Sequence, residues 1–412
     1  MSNFNDLNSE RIQFREISFE ELDTNQKSIQ IIKNGKNPSR IKLVPPTFYP
    51  NDSSTTSVYF ANHVVTRLYH DSRFSFQIPP LLQIENALHC LAGLTFTHNF
   101  EYICELHLAD LGLAASDFIS TRRRNFFTHT KTDFYINSST IPKAGRLDGR
   151  FVNLNIRNAF NYFHFIFDGL GSLWFLGSEV GIDEVSVLLP TNLRQLHLDV
   201  LRHVGFKDNQ LIYPRIADKS NVWLEFDRLL CSWPHGGFHN HNSAEKIINI
   251  RRLLRVQTSN PNLGNLRICF SVRNNNATGR RVVNQTELIC RLRLDFPNCE
   301  VSELDFSELT FLEQLNFHFD VLIGVHGAGL TNCLFMPANS LVIELSRFAW
   351  NPVYYEVASA CSHQYVCIFP QEELYENDMT SEWPSGLKYK PTYLSEAIRL
   401  FMRGRLREDD VA

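Results

Sequence analysis

Several signatures of common chemistries are missing from these 412 residues: no Cys-x-x-Cys, no Asp-x-Asp, no Gly-x-Ser-x-Gly, and no Gly-x-Gly-x-x-Gly opening a strand–helix block. Lack of the serine elbow removes the nucleophile turn on which an α/β-hydrolase depends. Lack of the glycine fingerprint removes the start of a dehydrogenase-type dinucleotide site. Lack of Asp-x-Asp removes the carboxylate pair that usually holds a divalent cation against a diphosphate. The nine cysteines are odd in number and several lie in apolar runs, which points to reduced, buried thiols in place of a disulfide framework. The longest apolar stretch, from Tyr162 to Leu176, contains His164 and Asp168 and is too short to span a bilayer. The opening MSNFNDLNSERIQF has no signal-peptide core, so the expected location is the cytoplasm. A net charge of −4 gives no general attraction to nucleic acid or anionic membrane, so the basic residues that matter must be locally placed.

What is present fits an ordinary globular chain. Hydrophobic residues make up 43% and charged residues 20%, and 32 phenylalanines can anchor several packing layers. Residues 1–130 are polar or mixed, with Pro45-Pro46 and a Ser/Thr-rich loop at 51–57, a strand candidate SVYFANHVV and a helix-like LLQIENALHCLAGL. They read as an N-terminal appendage of unassigned role. From Phe151 the pattern alternates: strand FVNLNI, helix FHFIFDGLGSLWFLG, strand EVSVLLP, helix LRQLHLDVLRHVGF. The rhythm resumes at LRICFSV and runs through QTELICRLRLDFP, CEVSEL, FLEQLNFHF, DVLIGV, YVCIF and a terminal helix YLSEAIRLFMRGRL. Alternating strands and helices predict parallel sheets covered on both faces. The expected fold is therefore α/β: two Rossmann-like domains facing a cleft, at 131–258 and 259–412, behind the N-terminal region.

The chemistry concentrates in LIGVHGAGLTNCLFMPANSLVIEL, residues 322–345. Ligands of open parallel sheets bind beyond the carboxyl ends of the strands. There Gly327 and Gly329 let backbone N–H groups approach a phosphate, and a helix start adds unpaired donors. His326 can donate to a diphosphate oxygen, and Glu344 can accept from two ribose hydroxyls. Arg273, Arg280 and Arg281, in SVRNNNATGRRVVNQTEL, follow another strand and can supply countercharge. The parts together read as a nucleotide-sugar site. The bland alternatives are a structural histidine, a locally paired glutamate and a solvated basic loop.

RICFSVRNNNATGRRVVNQTEL, FLEQ, and DVLIGVHGAGLTNCLFMPANSLVIEL resemble, in that order, the catalytic region of glycosyltransferase family 61. Upstream, NYFHFIFDGLGSLWFL resembles that family's Asn-x-x-His-x-x-x-Asp segment. The family includes plant xylan-decorating transferases, animal enzymes that add N-acetylglucosamine to EGF domains or O-mannose, and bacterial capsular-polysaccharide proteins. The resemblance implies a GT-B-like fold, a nucleotide-sugar donor and transfer with inversion. It implies a donor site of Arg273, Arg280, His326, Gly327, Ala328, Gly329, Asn332 and Glu344, with 259–412 the donor-binding domain and 131–258 the acceptor-side domain. Where the family often has two adjacent arginines, this chain has Arg273-Asn274, and an arginine pair appears later at Arg280-Arg281.

Inverting transfer needs a base for the acceptor hydroxyl. His164 and Asp168 are four apart and face one side of a helix, and Asn161 on the acceptor side precedes them by a turn. Flanking phenylalanines would partly desolvate Asp168 and strengthen it as a base, so Asp168 is the candidate base and His164 its partner. The alternative is a helix-terminal carboxylate beside a structural histidine. His235, His239 and His241 have no carboxylate or thiolate at ligand spacing, so no metal and no resident cofactor are expected. Without a leader or span, the bacterial capsular branch is the nearest analogue. The expected acceptor is then a glycan or lipid-linked saccharide of surface polysaccharide, reached in the cytoplasm or peripherally at the membrane's cytoplasmic face. The rival of another class is a scaffold that keeps the transferase fold and binds a glycan or nucleotide without turnover.

Overall fold

The computed structural model describes strand segments between residues 11 and 137 and, beyond them, residues 145–154, 159–190, 193–213, 223–232, 244–257, 265–273, 280–347, 351–374 and 385–409. The chain divides into two compact units, one of residues 1–38 and 77–241, the other of 39–76 and 242–412.

In the second unit a six-stranded sheet runs in the order Glu300–Leu304, Arg267–Ser271, Val321–Val325, Leu341–Leu345, Gln364–Ile368, Thr47–Tyr49, with every neighbouring pair parallel. Apart from Thr47–Tyr49, the strands stand in the order 2-1-3-4-5 counted along the chain, the doubly wound arrangement whose order reverses between the first and third. Strands covered on both faces read as continuous apolar runs, which is why VLIGV and LVIEL look like pure core. Alternate residues sort the two faces. Ile268, Phe270, Val321, Ile323, Val325, Leu341, Ile343, Leu345, Val366 and Ile368 pack with Leu288 and Leu292 of the helix Gln285–Asp295 and Leu394, Ile398 and Phe401 of Pro391–Asp409. Leu322, Gly324, Val342, Glu344, Tyr365 and Cys367 alternate with that set, so Glu344 stands on the opposite face, in register with Gly324 and Cys367.

The first unit holds a seven-stranded sheet. Leu211–Ile212, Ser186–Leu188, Gly145–Asn153 and Trp223–Ser232 are parallel, and Leu81–Cys90 joins antiparallel to Trp223–Ser232. Ile29–Lys33 and Leu94–Phe96 each pair with Leu81–Cys90. Two expectations are corrected here. LLQIENALHC is a strand where its spacing suggested a helix: Leu81, Leu82, Ile84 and Ala87 are buried, and pairing on both edges overrides local propensity. Nor are residues 1–130 an appendage, since they supply Ile29–Lys33 and Leu81–Cys90 to one sheet and Thr47–Tyr49 to the other. SVYFANHVV and the His235, His239 and His241 loop lie outside the described residues.

Cys269, Cys333, Cys361 and Cys367 are buried and unpaired by any disulfide. Burial raises the Cys269 thiol to about 12 and lifts Cys333 and Cys367 as well, so these remain unreactive thiols. Among the described residues no helix is long and apolar enough to cross a membrane.

Two buried histidines set an acid limit to the fold. His197 accepts from the Arg194 N–H at 3.1 Å, and burial, aided by Arg194, lowers it to about 4. His363 donates from Nε2 to the Cys333 carbonyl at 3.0 Å, and burial lowers it to about 3. Both folded-state values lie below the unfolded value of about 6.5, so the unfolded chain binds the extra protons. Stability from these residues is complete above pH about 6.5. It falls by about 1.4 kcal/mol per pH unit for each as the pH drops toward 4 and 3 respectively. Urea unfolding at pH 7, 6 and 5 checks this. His197→Asn and His363→Asn should each be weaker at pH 7 and show a shallower dependence, whereas an unchanged slope in both would contradict it.

Candidate active site

The first and third strands of the parallel sheet end side by side at the reversal of strand order, where such sheets open a crevice. The strand Val321–Val325 leaves the sheet at His326 and turns through Gly327 into a 3-10 helix, Ala328–Phe335, where the sequence suggested a helix start. Packing is close at two glycines: a Cβ on Gly329 would lie 2.5 Å from Ser271 Oγ and displace it, and one on Gly324 would lie 3.1 Å from Leu330 Cδ2 and press it back by a few tenths of an ångström. The turn is thereby pressed against the end of the strand Arg267–Ser271.

Its backbone is tied down from two sides. Arg280 Nη1 donates to the His326 carbonyl at 2.8 Å, and the Tyr354 hydroxyl donates to the Gly327 carbonyl at 2.6 Å. In a trans peptide the N–H points opposite the preceding carbonyl, so these bonds turn the Gly327 and Ala328 N–H groups to the other side. Asn332 is fully buried and donates from Nδ2 to the Gly329 carbonyl at 3.1 Å; its Oδ1 has no hydrogen-bond partner among the described residues. It braces the turn from inside.

Above the turn the arginines separate by role. A Cβ on Gly327 would lie 3.6 Å from a terminal nitrogen of both Arg273 and Arg280, so the two guanidiniums come together against the one residue. Burial lowers Arg280 to about 10, with the Arg273 and Arg347 charges adding to the effect. Arg273 is exposed, yet crowding by neighbouring groups partly desolvates its guanidinium and lowers it, against raising contributions from Tyr354 and Asp305. Arg280 adopts φ +60, a left-handed conformation uncommon outside glycine. The next residue, Arg281, is exposed and lies in the short strand pairing with Gly386–Lys388. Mutually repelling arginines held beside a turn with directed N–H groups are what a bound polyanion would compensate.

His326 and Glu344 form one hydrogen-bonded unit. His326 Nδ1 lies 2.7 Å from Glu344 Oε1, and the Tyr365 hydroxyl donates to Oε2 at 2.6 Å. Glu344 has 0% exposed surface, so both its oxygens serve protein groups. That differs from the expected division, diphosphate on the histidine and ribose on the glutamate. The cause is the alternation of the strands: Glu344 lies on the face from which Tyr365 of the neighbouring strand reaches it.

In the first unit, Asn161 caps a helical turn by accepting the Phe163 N–H at 2.9 Å, which gives it a local structural task. The turn Tyr162–His164 continues as a π-helix, Phe165–Gly169, and a 3-10 turn, Leu170–Leu173. Such wide turns are frequent at functional sites. His164 Nδ1 meets Asp168 Oδ2 at 2.6 Å, with side-chain exposures of 33% and 11%. The histidine is thus the more accessible partner, and the carboxylate stands behind it. Phe163 crosses the His164 ring edge-on at 5.4 Å between centroids, fixing that ring further.

The structure gathers Arg273, Arg280, His326, Gly327, Ala328, Gly329, Asn332 and Glu344 about one turn, and pairs His164 with Asp168. Sequence reasoning missed Tyr354, Tyr365 and Arg347. The signal for Tyr365 was its period-2 position in the strand beside Glu344, readable only once strand order is known.

Residues 162–343 match the family model Glycosyltransferase 61. The chain is similar to the EGF domain-specific O-linked N-acetylglucosamine transferase of Gallus gallus, 30% identical over 190 residues that cover 41% of this chain and 35% of the relative. To the Bos taurus protein of the same name it is 28% identical over 152 residues, 36% of this chain and 28% of the relative. To that of Drosophila melanogaster it is 29% identical over 125 residues, 30% and 24% of the two chains. The matches thus span about a third of the length of these relatives or less. The family match takes in His164, Asp168, Arg273, Arg280 and the His326–Gly329 turn; Asn161 and Glu344 fall one residue outside it.

Proposed function

We propose, from the match of residues 162–343 to the Glycosyltransferase 61 model, that the protein is an inverting glycosyltransferase that uses a nucleotide-sugar donor bound at the His326–Gly329 turn. The observation that carries the reading is the pair Arg273 and Arg280, both brought against Gly327 at the reversal point of a parallel sheet. There the two guanidiniums, His326 and the Gly327 and Ala328 N–H groups would hold the donor diphosphate. The arginines would do the charge work that other transferases give to a divalent cation. Asn332, Glu344, Tyr354 and Tyr365 support the turn from behind.

In the proposed step the acceptor hydroxyl attacks the anomeric carbon as the bond from that carbon to the diphosphate oxygen breaks. The bonding pair leaves with the diphosphate, whose charge meets Arg273, Arg280 and His326. The hydroxyl proton passes to His164, the exposed member of its dyad, while Asp168 orients the ring and stabilises the imidazolium.

The acceptor has two readings. The relatives are named for transfer of O-linked N-acetylglucosamine to EGF domains, which favours a hydroxyl on a protein and an N-acetylglucosamine donor. The motif resemblance also extends to bacterial capsular proteins, which favours a glycan or lipid-linked saccharide of surface polysaccharide, handled by a cytoplasmic or membrane-peripheral enzyme. The test incubates purified protein with a panel of nucleotide sugars and either a folded EGF domain or saccharide acceptors, with and without EDTA. The expected result is acceptor-dependent release of nucleoside diphosphate that persists in EDTA, and a product with inverted anomeric configuration. A retained configuration would overturn the mechanism, and loss of activity in EDTA would overturn the role given to the arginines. Nucleotide binding without turnover on any acceptor would return the protein to the scaffold reading.

A further inference from the structure

Behind the proposed donor turn lies a buried chain of three side chains from three successive strands. Tyr365 belongs to Gln364–Ile368, Glu344 to Leu341–Leu345, and His326 follows Val321–Val325 directly. The Tyr365 hydroxyl donates to Glu344 Oε2 at 2.6 Å, and Glu344 Oε1 lies 2.7 Å from His326 Nδ1. Tyr365 is 5% exposed, Glu344 0% and the His326 side chain 15%, so the histidine is the accessible end of the chain.

The chemistry of the middle member fixes the ends. A carboxylate only accepts hydrogen bonds, so Tyr365 must donate to one oxygen and His326 Nδ1–H to the other. Nδ1 is then committed, and whatever His326 does with a ligand it does through Nε2. A carboxylate bonded at one oxygen alone could turn about its last torsion; bonded at both, in a fully buried space, it is held. Tyr354, edge-on to the His326 ring at 5.2 Å, fixes the plane of that ring.

We propose that Tyr365 is a positioning residue: acting through Glu344, it holds His326 Nδ1–H and the orientation of the ring, so that the Nε2–H of the imidazolium donates to the donor diphosphate. The inference rests on the donor-site reading for its ligand, but the relay itself is measurable without one. Tyr365→Phe keeps the ring that packs at 5.5 Å against Tyr355 and removes only the hydroxyl. Tyr389→Phe is the matched control, because its hydroxyl is equally buried yet donates to the Ser346 carbonyl at 2.8 Å, outside the chain of three.

The test labels the full chain with ¹⁵N-histidine, assigns the His326 ring by its loss in His326→Gln, and reads the tautomer from two-bond proton–nitrogen couplings. The wild type and Tyr389→Phe are expected with Nδ1 protonated, as the Nδ1–H tautomer or the imidazolium, and Tyr365→Phe with a share of the Nε2–H tautomer. Binding of UDP, GDP and inorganic pyrophosphate is measured on the same samples. Tyr365→Phe should bind about tenfold more weakly, and Tyr389→Phe within about twofold of wild type despite a comparable fall in melting temperature. A wild type with Nδ1 unprotonated overturns the proposal, as does a Tyr365→Phe that keeps both the wild-type ring protonation pattern and wild-type affinity. If the tautomer responds but the wild type binds none of the three probes, the relay stands and the donor-site reading falls.

Discussion

Asp168→Asn is expected to lower kcat by about 10²- to 10⁴-fold, the range a positioned acid–base group supplies, while leaving nucleotide affinity within about twofold. The reason lies in the 2.6 Å contact between His164 Nδ1 and Asp168 Oδ2 and in the greater exposure of the histidine. The carboxylate keeps Nδ1 protonated, so Nε2 presents a lone pair to the acceptor hydroxyl, and it then faces the positive charge that forms when the proton arrives. Asparagine retains the shape but can donate to Nδ1, which selects the wrong tautomer, and it carries no countercharge. His164→Gln should cost about as much, and the double variant little more than either single one, because the two act as a unit. A His164→Gln variant within tenfold of wild type, beside a disabled Asp168→Asn, would show that Asp168 takes the proton directly. Unchanged kcat in both would make the pair structural.

Arg280→Ala is expected to reduce kcat/KM by about 10²- to 10³-fold, as loss of one preorganised donor to a leaving oxyanion does. Arg281→Ala, one residue on and exposed, should stay within about twofold. Arg280→Lys should recover little, because only a guanidinium can hold the His326 carbonyl at 2.8 Å and still present nitrogens toward a diphosphate. Stability should move the other way. Arg280 is desolvated beside Arg273 and within the field of Arg347, and its backbone sits at φ +60. Removing it relieves charge repulsion, and Arg280→Gly also relieves the backbone. Both variants should melt no lower than wild type, the pattern of a residue kept for function at the expense of stability. A large fall in melting temperature with intact kcat/KM would reverse this assignment.

The alternation of strands and helices in the second half was legible because strands buried on both faces are written as unbroken apolar runs, and VLIGV and LVIEL can be little else. The i,i+4 spacing of His164 and Asp168 likewise announced their contact. Other features depend on non-local information. LLQIENALHC reads locally as helix and becomes a strand because Trp223–Ser232 and Ile29–Lys33 pair on its two edges. Glu344 looked like a ligand group because a strand-ending carboxylate is conspicuous, and its engagement by Tyr365 follows only from the adjacency of their strands. Arg280 and Arg281 are equivalent as letters. A single left-handed φ sends one side chain to the turn, while the next residue stays in solvent.

The most direct test of the donor site is calorimetric titration of nucleoside diphosphates into the wild type, Arg280→Ala and Arg281→Ala, all in EDTA. The account predicts that one nucleoside diphosphate binds wild type and Arg281→Ala alike, and Arg280→Ala about 100-fold more weakly or not at all. Equal binding by Arg280→Ala and wild type, or binding lost in EDTA, would contradict it.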